Sequence, residues 1–138
     1  MKRLFLLFAV MLGVAMSSHA MFWQLKYRGT VAGSTIEVAL NYNTGDAATN
    51  GRPYWIENSH ARYPKVNGNV LTLEPKTSAD SKNWIFDEYY NGKRTGRWAL
   101  RQAGDGDLKG TFTNAKTGKK YTVYLRSVKG SNEWDWAY

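Results

Sequence analysis

Between Lys82 and Arg126, apolar and polar residues alternate with a period of two through runs separated by glycine-containing turns. A period of two sends successive side chains to opposite faces of a strand. The stretch therefore specifies a four-stranded antiparallel meander with one buried and one wet face. Loop parity tests this, because slipping the register by one residue exchanges the faces. Trp84 and Phe86 share a face with Gly96, Trp98 and Leu100 if an odd number of residues turns the chain at Asn91-Gly92, which favours a three-residue bulged turn. The five residues Gln102 to Gly106 bring Leu108, Gly110 and Phe112 onto that face, and the four from Ala115 to Gly118 bring Tyr121, Val123 and Leu125. Arg97, Arg101, Lys109, Lys120, Thr122, Tyr124 and Arg126 then point outward, and so charged an outer face excludes a lipid-facing barrel.

The first half reads less regularly. Phe22 to Arg28 places Trp23, Leu25 and Tyr27 inward and Gln24, Lys26 and Arg28 on a polar outer face. Gly29 and Gly33 bracket a turn, and Thr35 to Tyr42 completes a hairpin. Asn43 to Arg52 is loop-like, Pro53 to Glu57 a short strand, Asn58 to Asn69 irregular, and Val70 to Glu74 a strand with Leu71 and Leu73 inward. No segment has an apolar period of 3.6. A last strand is expected at Glu133 to Tyr138, its Glu133 and Asp135 facing Lys26 and Arg28 of the first strand. That pairing would remove both sheet edges. The expected fold is all-β: a small soluble antiparallel meander barrel of about eight strands, with little or no helix.

Lys2 and Arg3, the apolar run Leu4 to Ala15 and the small residues of Ser18-His19-Ala20 have the form of a secretory signal. The run is too short to span a bilayer, which takes about 20 residues, so no membrane span is expected. Residues 1–20 are read as the signal and 21–138 as one β-barrel domain, periplasmic or secreted from a bacterium. Cleavage after Ala20 leaves 118 of the 138 residues, enough for one self-sufficient core. The chain has no cysteine, so packing supplies the stability that exported domains often take from disulfides. Losing Lys2 and Arg3 leaves 17 basic residues against 11 acidic ones, a net charge of +6. Such a surface attracts anionic glycans, lipid head groups or nucleic acid, but the basic residues are spread along the chain, and no nucleic-acid partner is expected.

Catalytic groups are scarce. His60 is the one histidine after the signal, and no G-x-S-x-G elbow occurs. His60 therefore reads as a solvated loop residue. One histidine and no cysteine cannot assemble a zinc site. Asp105-Gly106-Asp107 lacks the other acidic ligands of a calcium loop. Glu88 falls on the inward face with Trp84, Phe86 and Trp98, where it would hold a ligand or pair with Arg94 at the barrel rim. A glycosidase would need a second carboxylate facing it. The expectation is no enzyme, no cofactor and no metal.

What remains is aromatic and cationic. Arg52-Pro53-Tyr54-Trp55 and His60-Ala61-Arg62-Tyr63-Pro64 combine rings with guanidinium groups, as hot spots and sugar-stacking platforms do. Tyr54, Trp55, Arg62 and Tyr63 are expected to form a binding surface at one barrel end, with Glu88 at the rim. The loop Thr117-Gly118-Lys119-Lys120-Tyr121 is similar to the S-G-x-x-Y loop of bacterial periplasmic lysozyme inhibitors, with Thr117 standing for Ser. More broadly, Tyr27 with Gly29, the strand Ile36 to Leu40, N-G-x-x-L-x-L-E at Asn67 to Glu74, F-D-E at Phe86 to Glu88, T-G-x-W at Thr95 to Trp98, L-x-G-x-F at Leu108 to Phe112 and G-K-K-Y-x-V-x-L from Gly118 resemble small uncharacterised bacterial periplasmic proteins of barrel type. That resemblance implies a fold and a location, with no activity attached. The leading expectation is a monomeric, non-enzymatic binding module for a small ligand, glycan or protein partner. The alternative is an inhibitor or immunity factor of a cell-wall hydrolase such as lysozyme, with Tyr121 on the inserted loop.

Overall fold

The structure, a computed structural model, describes residues 22–66 and 68–128. The signal segment 1–20 and the last strand expected at 133–138 lie outside them. Among the described residues nine strands occur in order: β1 (Phe22–Val31), β2 (Ser34–Asn43), β3 (Tyr54–Trp55), β4 (His60–Arg62), β5 (Val70–Pro75), β6 (Asn83–Tyr90), β7 (Lys93–Gln102), β8 (Leu108–Asn114) and β9 (Lys120–Ser127). The helical content among these residues is two single turns of 3-10 helix, Ala47–Thr49 and Gly104–Gly106.

Every pairing is antiparallel, and eight strands close a barrel in the circular order β1-β2-β4-β5-β6-β7-β8-β9, with β3 added to the end of β2 beside β4. The barrel expected from the alternation is therefore present. Among the described residues the edge of β1 pairs with β9, Tyr124 opposite Thr30 and Arg126 opposite Arg28. β9 can lie this close because Gly29 sits inside β1, where a Cβ would overlap the Tyr124 carbonyl oxygen. Gly29 thus serves a strand contact, and the hairpin turn is Ala32-Gly33, both with positive φ, 51° and 84°.

The meander keeps its expected faces, with Trp84 opposite Leu100, Phe86 opposite Trp98, Trp98 opposite Phe112 and Phe112 opposite Tyr121. The turn between β6 and β7 is shorter than expected. Asn91 and Gly92, at φ 50° and 76°, form a two-residue turn between Tyr90 and Lys93, and the odd residue is a bulge at Thr95. Parity is conserved either way. Thr95 is held in the bulge because its hydroxyl donates to the backbone oxygen of Glu88 at 3.1 Å and to its carboxylate Oε1 at 2.7 Å.

Side chains fill the middle of the barrel. Phe86, Leu40, Ile36, Leu108 and Leu125 are fully buried, and Trp98 and Phe112 pack with centroids 4.8 Å apart. Gly96 leaves room for the Phe112 ring. Outside, two expectations fail. Gln24 and Lys26 of the supposedly wet face are buried, and Gln24 donates to Asn41 Oδ1 at 3.0 Å. Asn41 in turn donates its backbone N–H to Ser59 Oγ at 2.9 Å, so a polar network stitches β1 and β2 to the start of β4. His60 is not a solvated loop residue: it lies in β4, 2% exposed, opposite Ala39 and Thr72.

Candidate functional site

Strand direction divides the barrel into two ends. One end, the mouth, gathers the start of β1, the end of β2, β3, and the loops 76–82 and 103–107. The other, the base, gathers the turns at 32–33 and 91–92 and the loops 63–69 and 115–119.

At the mouth the core stops short and leaves a cavity of about 370 Å³ lined by Tyr27, Tyr42, Trp55 and Trp84, with Leu25, Pro53, Gln102 and Ser127 among its other walls. Trp55 reaches it because β3 pairs with the end of β2, Trp55 opposite Tyr42. Its ring meets Trp84 and Phe86 edge-on, each at 5.0 Å, and Tyr42 at 6.3 Å. The loop 76–82 fixes both indoles: Trp55 Nε1 donates to the Thr77 carbonyl at 2.9 Å, and Trp84 Nε1 to the Ala79 carbonyl at 3.1 Å. These bonds satisfy the polar edge of each ring and leave apolar surface toward the cavity.

The polar groups at the cup are neutral. Burial pushes the Tyr27 hydroxyl well above the ordinary phenol range, helped by Tyr42 and Asp107, and burial raises Tyr42 too. Neither hydroxyl has a hydrogen-bond partner among the described residues. Among the described residues no charged side chain lines the cup. A cavity of this size, walled by four aromatic rings and other apolar groups with a few convergent neutral polar groups, has the composition of a small-molecule site.

No protein-family model, no curated protein and no solved structure matches the chain.

The six residues singled out in the sequence do not meet. Trp55 enters the cup, whereas the Tyr54 hydroxyl turns away to Asp46 Oδ2 at 3.4 Å, where Asp46 caps the turn Ala47–Thr49. Arg62 lies on the outer wall, opposite Glu37, with Nε 2.8 Å from Glu37 Oε1, while Arg28 reaches Oε2 of the same carboxylate at 3.1 Å. Arg62 stands five positions along β2 from Trp55, about 17 Å away. Tyr63 and Tyr121 are half-buried against the core at the base. One barrel end therefore does not present Tyr54, Trp55, Arg62 and Tyr63 together.

Glu88 is inward, as its parity requires, and 3% exposed. Arg94 does not pair with it but with Asp87 at 3.2 Å, on the outer face. Glu88 instead accepts from Thr95 Oγ1 and, at 3.0 Å, from Trp98 Nε1. Burial raises its carboxyl pKa, partly offset by these two bonds, and its charge helps raise the Tyr63 hydroxyl. Asp87 is held below the usual carboxylate range by the fork of Arg97, at 2.8 and 3.2 Å, and by Arg94. Among the described residues no group of three or more His, Cys, Asp or Glu is placed to hold a metal. Tyr27 and Trp84 were legible as inward residues. Their convergence was not, because it depends on β3 folding back onto β2 and on closure through β9.

Proposed function

We propose that this protein is an exported, non-enzymatic binding module whose ligand sits in the mouth cup. The observation that carries the reading is the neutral, aromatic-walled cavity with two phenols, Tyr27 buried and Tyr42 half-buried, that have no hydrogen-bond partner among the described residues. Such a site favours an uncharged ring-bearing molecule: the rings stack or pack on Trp55 and Trp84, and Tyr27 and Tyr42 hydrogen-bond its oxygens. Neutral saccharides, including cell-wall fragments, have that chemistry. The inhibitor reading has less support, because Tyr121 is half-buried against the core and does not project from its loop.

A thermal-shift and tryptophan-fluorescence screen against neutral oligosaccharides, peptidoglycan fragments and lipids tests it. A ligand at 100 times its Kd adds about 2.7 kcal/mol of stability. Tyr27→Phe would weaken binding several-fold, the value of about one neutral hydrogen bond of ~1 kcal/mol. If no compound class moves either signal, the cup is not a ligand site.

A further inference from the structure

We propose a second site, independent of the cup: a trough on the outer face of β6 to β9 that binds an extended anionic polysaccharide. The basic residues look scattered in the sequence, but strand register collects them. A rung of short or apolar side chains, Ile85, Ala99, Thr111 and Thr122, runs across four strands. On one side stands the rung Asp87, Arg97, Thr113 and Lys120, in which Arg97 is paired with Asp87, and on the other Arg101 directly opposite Lys109. Arg97 and Arg101 are four residues apart on one strand, about 13 Å, so among the described residues the floor lies between the free cation of Lys120 on one side and the unpaired cations of Arg101 and Lys109 on the other.

Three features make this more than a solvated surface. Arg101 and Lys109 are like charges in direct cross-strand register, an arrangement that costs stability unless an anion relieves it. Arg101, Lys109 and Lys120 have no ion pair among the described residues. The acidic groups nearby are already engaged: Asp87 by Arg97, Arg94 and Lys76, and Asp107 by the Tyr124 hydroxyl and the Ser127 N–H. The floor then selects the class of polyanion. Thr111 and Thr122 offer hydroxyls with no side-chain hydrogen bond among the described residues, which suits sugar oxygens. Among the described residues the floor itself carries no aromatic ring; the one exposed ring beside it, Tyr124 opposite Lys109, is tied by its hydroxyl to Asp107. The row of rings on which single-stranded nucleic acid stacks successive bases is therefore not present there.

The test is calorimetric titration of the full chain with dextran sulfate, alongside neutral dextran, a single-stranded oligonucleotide and anionic lipid vesicles. The expected result is binding to dextran sulfate alone, weakening steeply between low and physiological salt. Arg101→Glu with Lys109→Glu should lower affinity by roughly tenfold or more, and Lys65→Glu with Lys116→Glu, the same change in net charge at exposed positions of the base, by less than about threefold. Melting curves verify that both variants fold. Equal losses from the two pairs, salt-independent binding, or oligonucleotide or vesicle binding as tight as dextran sulfate would each overturn the proposal.

Discussion

The bond from Trp98 Nε1 to Glu88 Oε2, 3.0 Å long, joins two residues that are 1% and 3% exposed. Because burial raises the Glu88 carboxyl above its unfolded value, the fold favours the protonated form. The folded state therefore keeps its full stability below the unfolded pKa and loses part of it as pH rises through the folded one. The Trp98 bond is one of two that offset this loss. When Glu88 is ionised the bond is charge-assisted and worth about 1.5–3 kcal/mol; when Glu88 is protonated it is worth about 0.5–1.5 kcal/mol. A double-mutant cycle of Trp98→Phe and Glu88→Leu isolates it, since the ring-volume loss appears in both arms that carry Phe. Leu also spares the Thr95 bond to the Glu88 backbone oxygen. Urea unfolding at about pH 4 and at about pH 7 should give the larger coupling at the higher pH, where more of Glu88 is ionised. Trp98→Phe alone should steepen the decline of stability with rising pH, and Glu88→Leu should flatten it. A coupling that is the same at both pH values, or below about 0.5 kcal/mol at neutrality, would refute this account of the buried carboxylate.

Gly110→Ala would drive a Cβ into the Ala99 carbonyl oxygen and against Leu100 Cα; since both obstacles are backbone, equilibrium unfolding should show a loss of about 3 kcal/mol. Ser59→Ala leaves the buried Asn41 N–H without its acceptor, a cost of about 1–3 kcal/mol by the same measurement. Asp107→Asn should lower the titration midpoint of Tyr124, whose hydroxyl is raised chiefly by its bond to that carboxylate; an ultraviolet pH titration reads this directly. An unchanged midpoint would mean the bond is not formed in solution.

Alternation made the meander legible because three of its strands have three inward apolar or glycine positions to count, and β6 has two large ones, Trp84 and Phe86. The strand His60–Arg62 has one inward residue, Ala61, which is too small to register as apolar patterning. That is why the surrounding segment read as irregular and His60 as solvated. The turn at Asn91-Gly92 shows a different limit. Parity distinguishes odd from even, but a two-residue turn with a bulge at Thr95 has the same parity as a three-residue turn. Likewise, the pairing of β1 with β9 depends on the close approach at Gly29, which carries no local pattern. The cup was hidden for the same reason: its walls come from elements far apart in the chain, joined by contacts that carry no local pattern.

Closure through β9 also orders events in time. While the chain is being made, β1 can pair with β2 at once, but its second edge stays bare until residues 120–127 have emerged, nearly the whole barrel later. β8 waits for the same strand. The last step is thus a long-range zipping that seals two open edges together, slow by its loop-closure entropy and the moment at which a stray β-strand could most easily be captured. Changes that weaken β9 should consequently reveal themselves first as poor folding yield, before they alter the finished barrel.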